Sequence, residues 1–141
     1  MKTVAKDIAI KIHGYRDSKD KYEHAVDMYK KNHAEVIQSL ISIFERVFNQ
    51  VGEYVNEGVG FTRSVENGEY NYLFNTTLIT LRIKEDEINL PRAIIEIKPV
   101  SKNKTEEHFR LFYDNSFRWE NERGQVVDDS YIANLIFTNM D

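Results

Sequence analysis

The sequence predicts an α+β fold: a long N-terminal amphipathic helix packed on one face of a roughly five-stranded antiparallel meander sheet, followed by a short C-terminal helix. Apolar residues recur at the helical period over residues 21–56, and they alternate at the strand period over residues 58–122. An Asn-Gly pair inside the second region is typical of a tight hairpin. With 141 residues and only two prolines and six glycines, we expect one domain spanning residues 1–141.

The composition excludes several kinds of site. The chain has no cysteine, which rules out disulfides, thiol catalysis and cysteine-ligated metals. Lys and Arg total 19 against 23 Asp and Glu, with only a mild basic excess in residues 1–33, so nucleic acid is a less favoured partner. No apolar run reaches the roughly 20 residues of a membrane span, and none resembles a signal peptide. We therefore expect a cytoplasmic protein without a membrane partner.

The N-terminal segment, residues 1–16, fits two patterns. Ile8, Ile10 and Ile12 alternate with other residues as in a strand, whereas Val4, Ile8 and Ile12 also fit one helical stripe. Because isoleucine is β-branched and favours strands, we expect a short strand here.

The helix predicted over residues 21–56 has the strongest pattern in the chain. At 100° per residue one stripe is apolar along the whole length and the opposite face is polar. Unbroken, this helix would be about 50 Å long. Its stripe contains Tyr22, Val26, Tyr29, His33, Val36, Ile37, Leu40, Phe44, Val47, Val51, Tyr54 and Val55.

This helix is longer than the sheet that should cover it. A strand of about eight residues spans roughly 27 Å, so one end of the apolar stripe extends beyond the sheet. The chain's own residues 3–13 and C-terminal helix could supply the cover; otherwise a protein partner or a second copy in a homodimer must do so. The contact residues are Tyr22, Val26 and Tyr29 at one end and Val51, Tyr54 and Val55 at the other.

The sheet begins with a hairpin around Asn67-Gly68, which places Phe61 opposite Phe74. The apolar positions of the second strand change parity near residues 75–77, which predicts a bulge. The strands are expected at 61–65, 70–83, 92–98, 108–113 and 117–120, and a helix at 129–140 begins at a cap formed by Asp128, Asp129 or Ser130.

Alternation assigns one sheet face to the core and the other to solvent. The outward face carries charged residues, including Glu96 and Glu120, which can form cross-strand ion pairs. It could instead be an open binding surface for an anionic partner. The residues of that surface are Arg82, Lys84, Lys98, His108, Arg110, Phe112 and Arg118.

The candidate catalytic and metal-binding residues are few. No two of the four histidines lie at metal-ligand spacing, so we expect no metal or cofactor. His33 lies in the apolar stripe, where it is either a buried, hydrogen-bonded histidine or a pH-sensitive or partner-contacting group.

The segment Ile94-Ile95-Glu96-Ile97-Lys98 ends a strand in Glu-x-Lys and resembles half of the PD-(D/E)xK nuclease pattern. The resemblance implies that Glu96 would hold a divalent cation and Lys98 would orient the attacking water. This sequence departs from the pattern, because the nearest preceding acids lie in a loop and a strand, rather than a helix, follows.

These observations favour a non-enzymatic protein-binding regulator, such as an inhibitor or accessory factor, with a metal-dependent nuclease as the alternative. The chain has 12 Asn and 14 Ile, which is typical of AT-rich genomes. The sequence therefore suggests a low-GC bacterium or its phage, where a counter-defence factor is one possible role.

Overall fold

The fold, taken from a computed structural model that describes residues 2–86, 88–112 and 116–141, is of the expected α+β class. The described strands form one open antiparallel sheet in chain order. Its elements are α1 (Lys2–Lys31), α2 (His33–Gly52), β1 (Phe61–Glu66), β2 (Glu69–Phe74), β3 (Thr77–Lys84), β4 (Arg92–Lys98), β5 (Thr105–Leu111), β6 (Trp119–Glu120), β7 (Val126–Val127) and α3 (Asp129–Asn139).

The first hairpin has the predicted register. Asn67 and Gly68 both have positive φ angles, of 51° and 75°, as a two-residue turn between twisted strands requires. Phe61 therefore faces Phe74.

The bulge expected near residues 75–77 is a second hairpin turn. Phe74 pairs with Thr77, and Asn75 adopts a left-handed φ of 59° in the turn between them. A two-residue turn and a one-residue bulge both reverse the alternation of side chains, so the sequence pattern could not distinguish them. The segment predicted as one strand is thus two antiparallel strands, β2 and β3.

The end of the sheet also differs from the expectation. The strand predicted at 108–113 is β5, which begins at Thr105 and ends at Leu111, while Tyr113 lies outside the described residues. The strand predicted at 117–120 is limited to Trp119–Glu120, and it pairs with the unpredicted β7. Two-residue strands carry no readable alternation, so the sequence gives no signal for β7.

The helical half contains two corrections. Residues 2–16 are helical rather than a strand, since a helix satisfies its backbone groups locally and needs no partner strand. The helix predicted over 21–56 is also divided at Asn32, where ψ is 28°. The Asn32 side chain donates to the Met28 carbonyl at 3.0 Å, the local competition by which asparagine interrupts helices.

The core lies between α2 and the inner sheet face. Phe44 stacks on Tyr72 with ring centroids 5.9 Å apart, and Phe48 stacks on Phe61 at 4.2 Å. Trp119 is 1% exposed and Phe44 is 3% exposed, as the sequence predicts. Within the described residues, no helix has both the length and the hydropathy needed to cross a membrane.

The C-terminal helix α3 packs beside α2 and closes the same layer. The Asp128 carboxylate caps it by accepting from the Tyr131 amide at 2.8 Å, one of the three predicted caps. Ile132 and Ile136 are buried, and Asp129 of its first turn pairs with Arg46 of α2 at 2.9 Å.

We expect Phe44→Ala to lower the free energy of unfolding by about 3–5 kcal/mol, because it removes a ring buried between α2 and the sheet. Phe137→Ala is the matched control, since that ring on α3 is 80% exposed. It should change stability by no more than about 0.5 kcal/mol. Urea denaturation followed by Trp119 fluorescence measures both, and equal losses would contradict this account of the core.

Candidate functional site

The outward sheet face carries the predicted cations; Arg82 and Arg110 pair with acids of neighbouring strands, and Lys98 pairs with an acid of its own strand. Arg82 of β3 contacts Glu69 at 2.7 Å and Glu96 at 2.5 Å. Lys98 contacts Glu96 at 2.9 Å. This part of the face is a cross-strand ion-pair network, which the sequence pattern allowed as the structural alternative to a binding surface.

Glu96 lies at the centre of this network and is only 8% exposed. Hydrogen bonds from Lys98 and then Arg82 lower the pKa of the Glu96 carboxyl to about 2. Both carboxylate oxygens are thus engaged by cations, and the pair with Arg82 links β3 and β4; the roles that the nuclease resemblance implies for Glu96 and Lys98 stay predictions. Over the described residues, no group of three or more His, Asp or Glu side chains is arranged to hold a metal ion.

Three other predicted surface residues have local contacts. His108 lies 3.7 Å from Glu106 of the same strand. The Arg118 guanidinium lies over the Phe112 ring, 4.9 Å from its centroid, as a cation–π contact. Phe112 is half-buried, so its outward exposure is smaller than the sequence suggests.

One row across the face is different because its cations are adjacent to each other. Lys84 of β3 pairs in register with Arg92 of β4, and Arg92 with Arg110 of β5. Arg110 also contacts Glu120 of β6 at 2.7 Å. Arg92 is not among the surface residues predicted from the sequence. It lies four residues before Glu96 and six before Lys98, and side chains an even number of positions apart on a strand share one face.

The stripe at the end of α1 is covered by its own chain. Val26 and Tyr29 are buried, and half-buried Tyr22 bonds to Asn89 at 3.0 Å. The Tyr29 hydroxyl donates to Glu85 at 2.7 Å; burial and then that bond raise its pKa. The β3–β4 loop therefore supplies part of the cover, for which the sequence had offered residues 3–13 and the C-terminal helix; residues 4–13 are exposed.

His33 is exposed on this side of the molecule and contacts the Glu85 carboxylate. Its ring lies 5.4 Å from the Tyr29 ring. The alternative of a buried histidine is therefore wrong, because His33 is exposed beside the β3–β4 loop.

The other predicted end of the stripe is more open. Val51 is half-buried, whereas Tyr54 and Val55 are 88% and 50% exposed beyond the end of α2.

The largest uncovered apolar stripe lies where the sequence analysis favoured a strand. All of residues 4–21 in α1 are exposed, a helical segment of about 27 Å that projects from the body. Val4, Ile8, Ile12 and Tyr15 lie on one side of it, at i, i+4, i+8 and i+11, and Ile10 lies on the opposite side. We call residues 4–21 the projecting segment.

No protein-family model matches this chain, and no curated protein or solved structure matches it either.

We expect Glu96→Gln to destabilise the protein by about 1–2 kcal/mol at pH 7, since it removes the charge shared by Arg82 and Lys98. The folded pKa of Glu96, about 2, lies below its ordinary value of 4.5, so the carboxylate stabilises the fold above pH 4.5. That contribution is lost as pH falls from 4.5 towards 2. Urea unfolding of both proteins at a series of pH values measures it, and a difference that does not shrink on acidification would contradict the assignment.

Proposed function

We propose that this protein is a non-enzymatic protein-binding regulator that docks the projecting segment of α1 into an apolar groove of another protein. The observation that supports the proposal is the exposed stripe of Val4, Ile8, Ile12 and Tyr15. Helix-in-groove recognition uses anchors at this spacing on one face of an amphipathic helix.

The state of this segment favours a bound partner. Most helical stability in proteins comes from packing of an apolar face against the rest of the structure. In the projecting segment that face packs on nothing in the described chain, since all of residues 4–21 are exposed. A partner that covers the stripe would supply the missing packing.

The charges of the segment indicate the chemistry of the groove. Residues 4–21 contain five Lys or Arg and three Asp, a net charge of +2. Lys11 and Arg16 flank the apolar stripe on its two sides. Lys19 lies on the same side of the helix as the stripe, one turn beyond Tyr15. The complementary surface is an apolar groove whose rim carries carboxylates.

A second copy of this chain fits less well. In a parallel, in-register pair of these helices, Lys19 would face its own copy, and Lys11 would lie near Arg16 of the other helix. Like charges at such positions oppose pairing. We therefore place a homodimer second to a different, acidic-rimmed partner.

The wider role that we propose is that of a small cytoplasmic inhibitor or accessory factor from a low-GC bacterium or its phage. Support for it is limited to the size of the chain and its Asn- and Ile-rich composition. The ion pairs of Glu96 with Arg82 and Lys98 favour the binding protein over the nuclease alternative.

We expect the double variant Ile8→Asp/Ile12→Asp to abolish partner binding, since it places charge in the apolar stripe. Ile10→Asp is the matched control, because Ile10 is equally exposed but lies on the opposite side of the helix. Tagged wild type and both variants are used for capture from the native host, followed by mass spectrometry and rebinding of the purified candidate. Support requires one protein that binds wild type and Ile10→Asp, loses binding to the double variant, and binds more weakly as salt rises.

Light scattering of the purified protein separates the homodimer from this proposal. A monomer of 16.6 kDa is expected. A dimer that dissociates in the double variant and persists in Ile10→Asp would assign the stripe to self-association and overturn the proposal of a different partner. Retention of the captured protein by the double variant would exclude the stripe as its binding site.

A further inference from the structure

We propose that Lys84, Arg92 and Arg110 form a binding site for a phosphate group on the outward sheet face. This site is separate from the projecting segment, and it does not depend on the function proposed above.

The strand register places the three cations in one row. Lys84 pairs with Arg92 across β3 and β4, and Arg92 pairs with Arg110 across β4 and β5. Directly opposite residues of antiparallel strands point to the same face and lie about 5 Å apart, so these side chains can converge on one group. Like charges in such positions destabilise a sheet, which makes the row costly unless an anion binds there.

The row also differs from the rest of the face in its pairing. Arg82 and Lys98 are neutralised by acids of the network around Glu96. In the row, Arg110 alone contacts a carboxylate, that of Glu120. In the part of the chain that the structure describes, the side chains of Arg92 and Lys84 make no hydrogen bond or ion pair, so their donors are available to a ligand.

Arg92 lies between two open depressions of the surface, and it lines both. One, of about 330 Å³, is bounded by Arg110, His108 and Asn121, with the Glu122 carboxyl also on its wall. The other, of about 520 Å³, is bounded by Lys84 and by the β3–β4 loop residues Glu85, Asp86 and Asn89. Together these leave room for a small ligand that extends from a phosphate held at Arg92.

The charges and donors favour phosphate over a carboxylate. The three cations and Glu120 give the row a net charge of +2. A phosphate monoester carries about −1.5 to −2 at pH 7, whereas a carboxylate carries a single charge. Guanidinium groups bind phosphate oxygens through two parallel N–H bonds, and two such groups face each other here. Glu122, Glu85 and Asp86 border the site. Their negative charges repel an anion unless its charged group lies directly on the row of cations.

The test uses the full-length protein and two probes, inorganic phosphate and adenosine monophosphate, followed by NMR chemical-shift titration at fixed ionic strength. We expect both probes to shift the backbone amides of β4 and β5. Arg92→Gln should weaken binding at least tenfold, and Lys84→Gln about threefold. Lys104→Gln is the matched control, because Lys104 is an exposed cation of the β4–β5 loop outside the row, and it should leave the affinity within twofold.

The two probes distinguish the sources of the phosphate group. Equal affinities assign the site to the phosphate alone, and tighter binding of the nucleotide assigns it to a phosphomonoester whose remainder occupies a depression beside Arg92. The proposal fails if Arg92→Gln binds both probes as wild type does, or if Lys104→Gln weakens binding as much as Arg92→Gln does. Binding of a single-stranded oligonucleotide without binding of either probe would also overturn it, in favour of a nucleic-acid surface.

Discussion

The packing of α2 on the inner sheet face is the interaction on which the other features of this protein depend. Phe44 and Phe48 insert between α2 and the aromatic side of the first hairpin, and Trp119 joins the same layer from β6. The Trp119 indole also donates to Ser39 of α2 at 3.1 Å, which fixes the helix relative to the far side of the sheet. A single 20-residue helix therefore covers most of the apolar surface that the strands present.

Because α2 and α3 occupy that surface, little of it remains for α1. The helix α1 ends at Lys31 and contacts the β3–β4 loop only through its last turns, at Tyr22 and Tyr29. The remainder extends into solvent with an uncovered apolar side. The projecting segment is thus a consequence of how the core is filled, and it gives the molecule a contact surface that its own folding does not require.

The opposite sheet face differs, because none of the described elements covers it. An open face of an antiparallel sheet stays compatible with water by carrying charge, and around Glu96 the cations Arg82 and Lys98 pair with acids. At Lys84, Arg92 and Arg110, cations stand in register with one another instead. The ion pairs around Glu96 thus form a structural part of the face, whereas the row of Lys84, Arg92 and Arg110 is the part that is open to an anion.

The sequence by itself determined the features that depend on local period: the amphipathic face of α2, the Asn67-Gly68 hairpin and the inward alternation of β3 and β4. It also identified Glu96 as an ion-paired residue. The tertiary structure decided the second hairpin at Asn75 and the contact of the β3–β4 loop with Tyr29, and it gives residues 2–16 no described strand to pair with. A short apolar run fits both periods, and a turn reverses alternation as a bulge does, so only pairing between distant segments resolves such ambiguities. The lack of a described ion pair at Arg92 could not be predicted from the sequence either. The residues that surround a charge come together only when the chain folds.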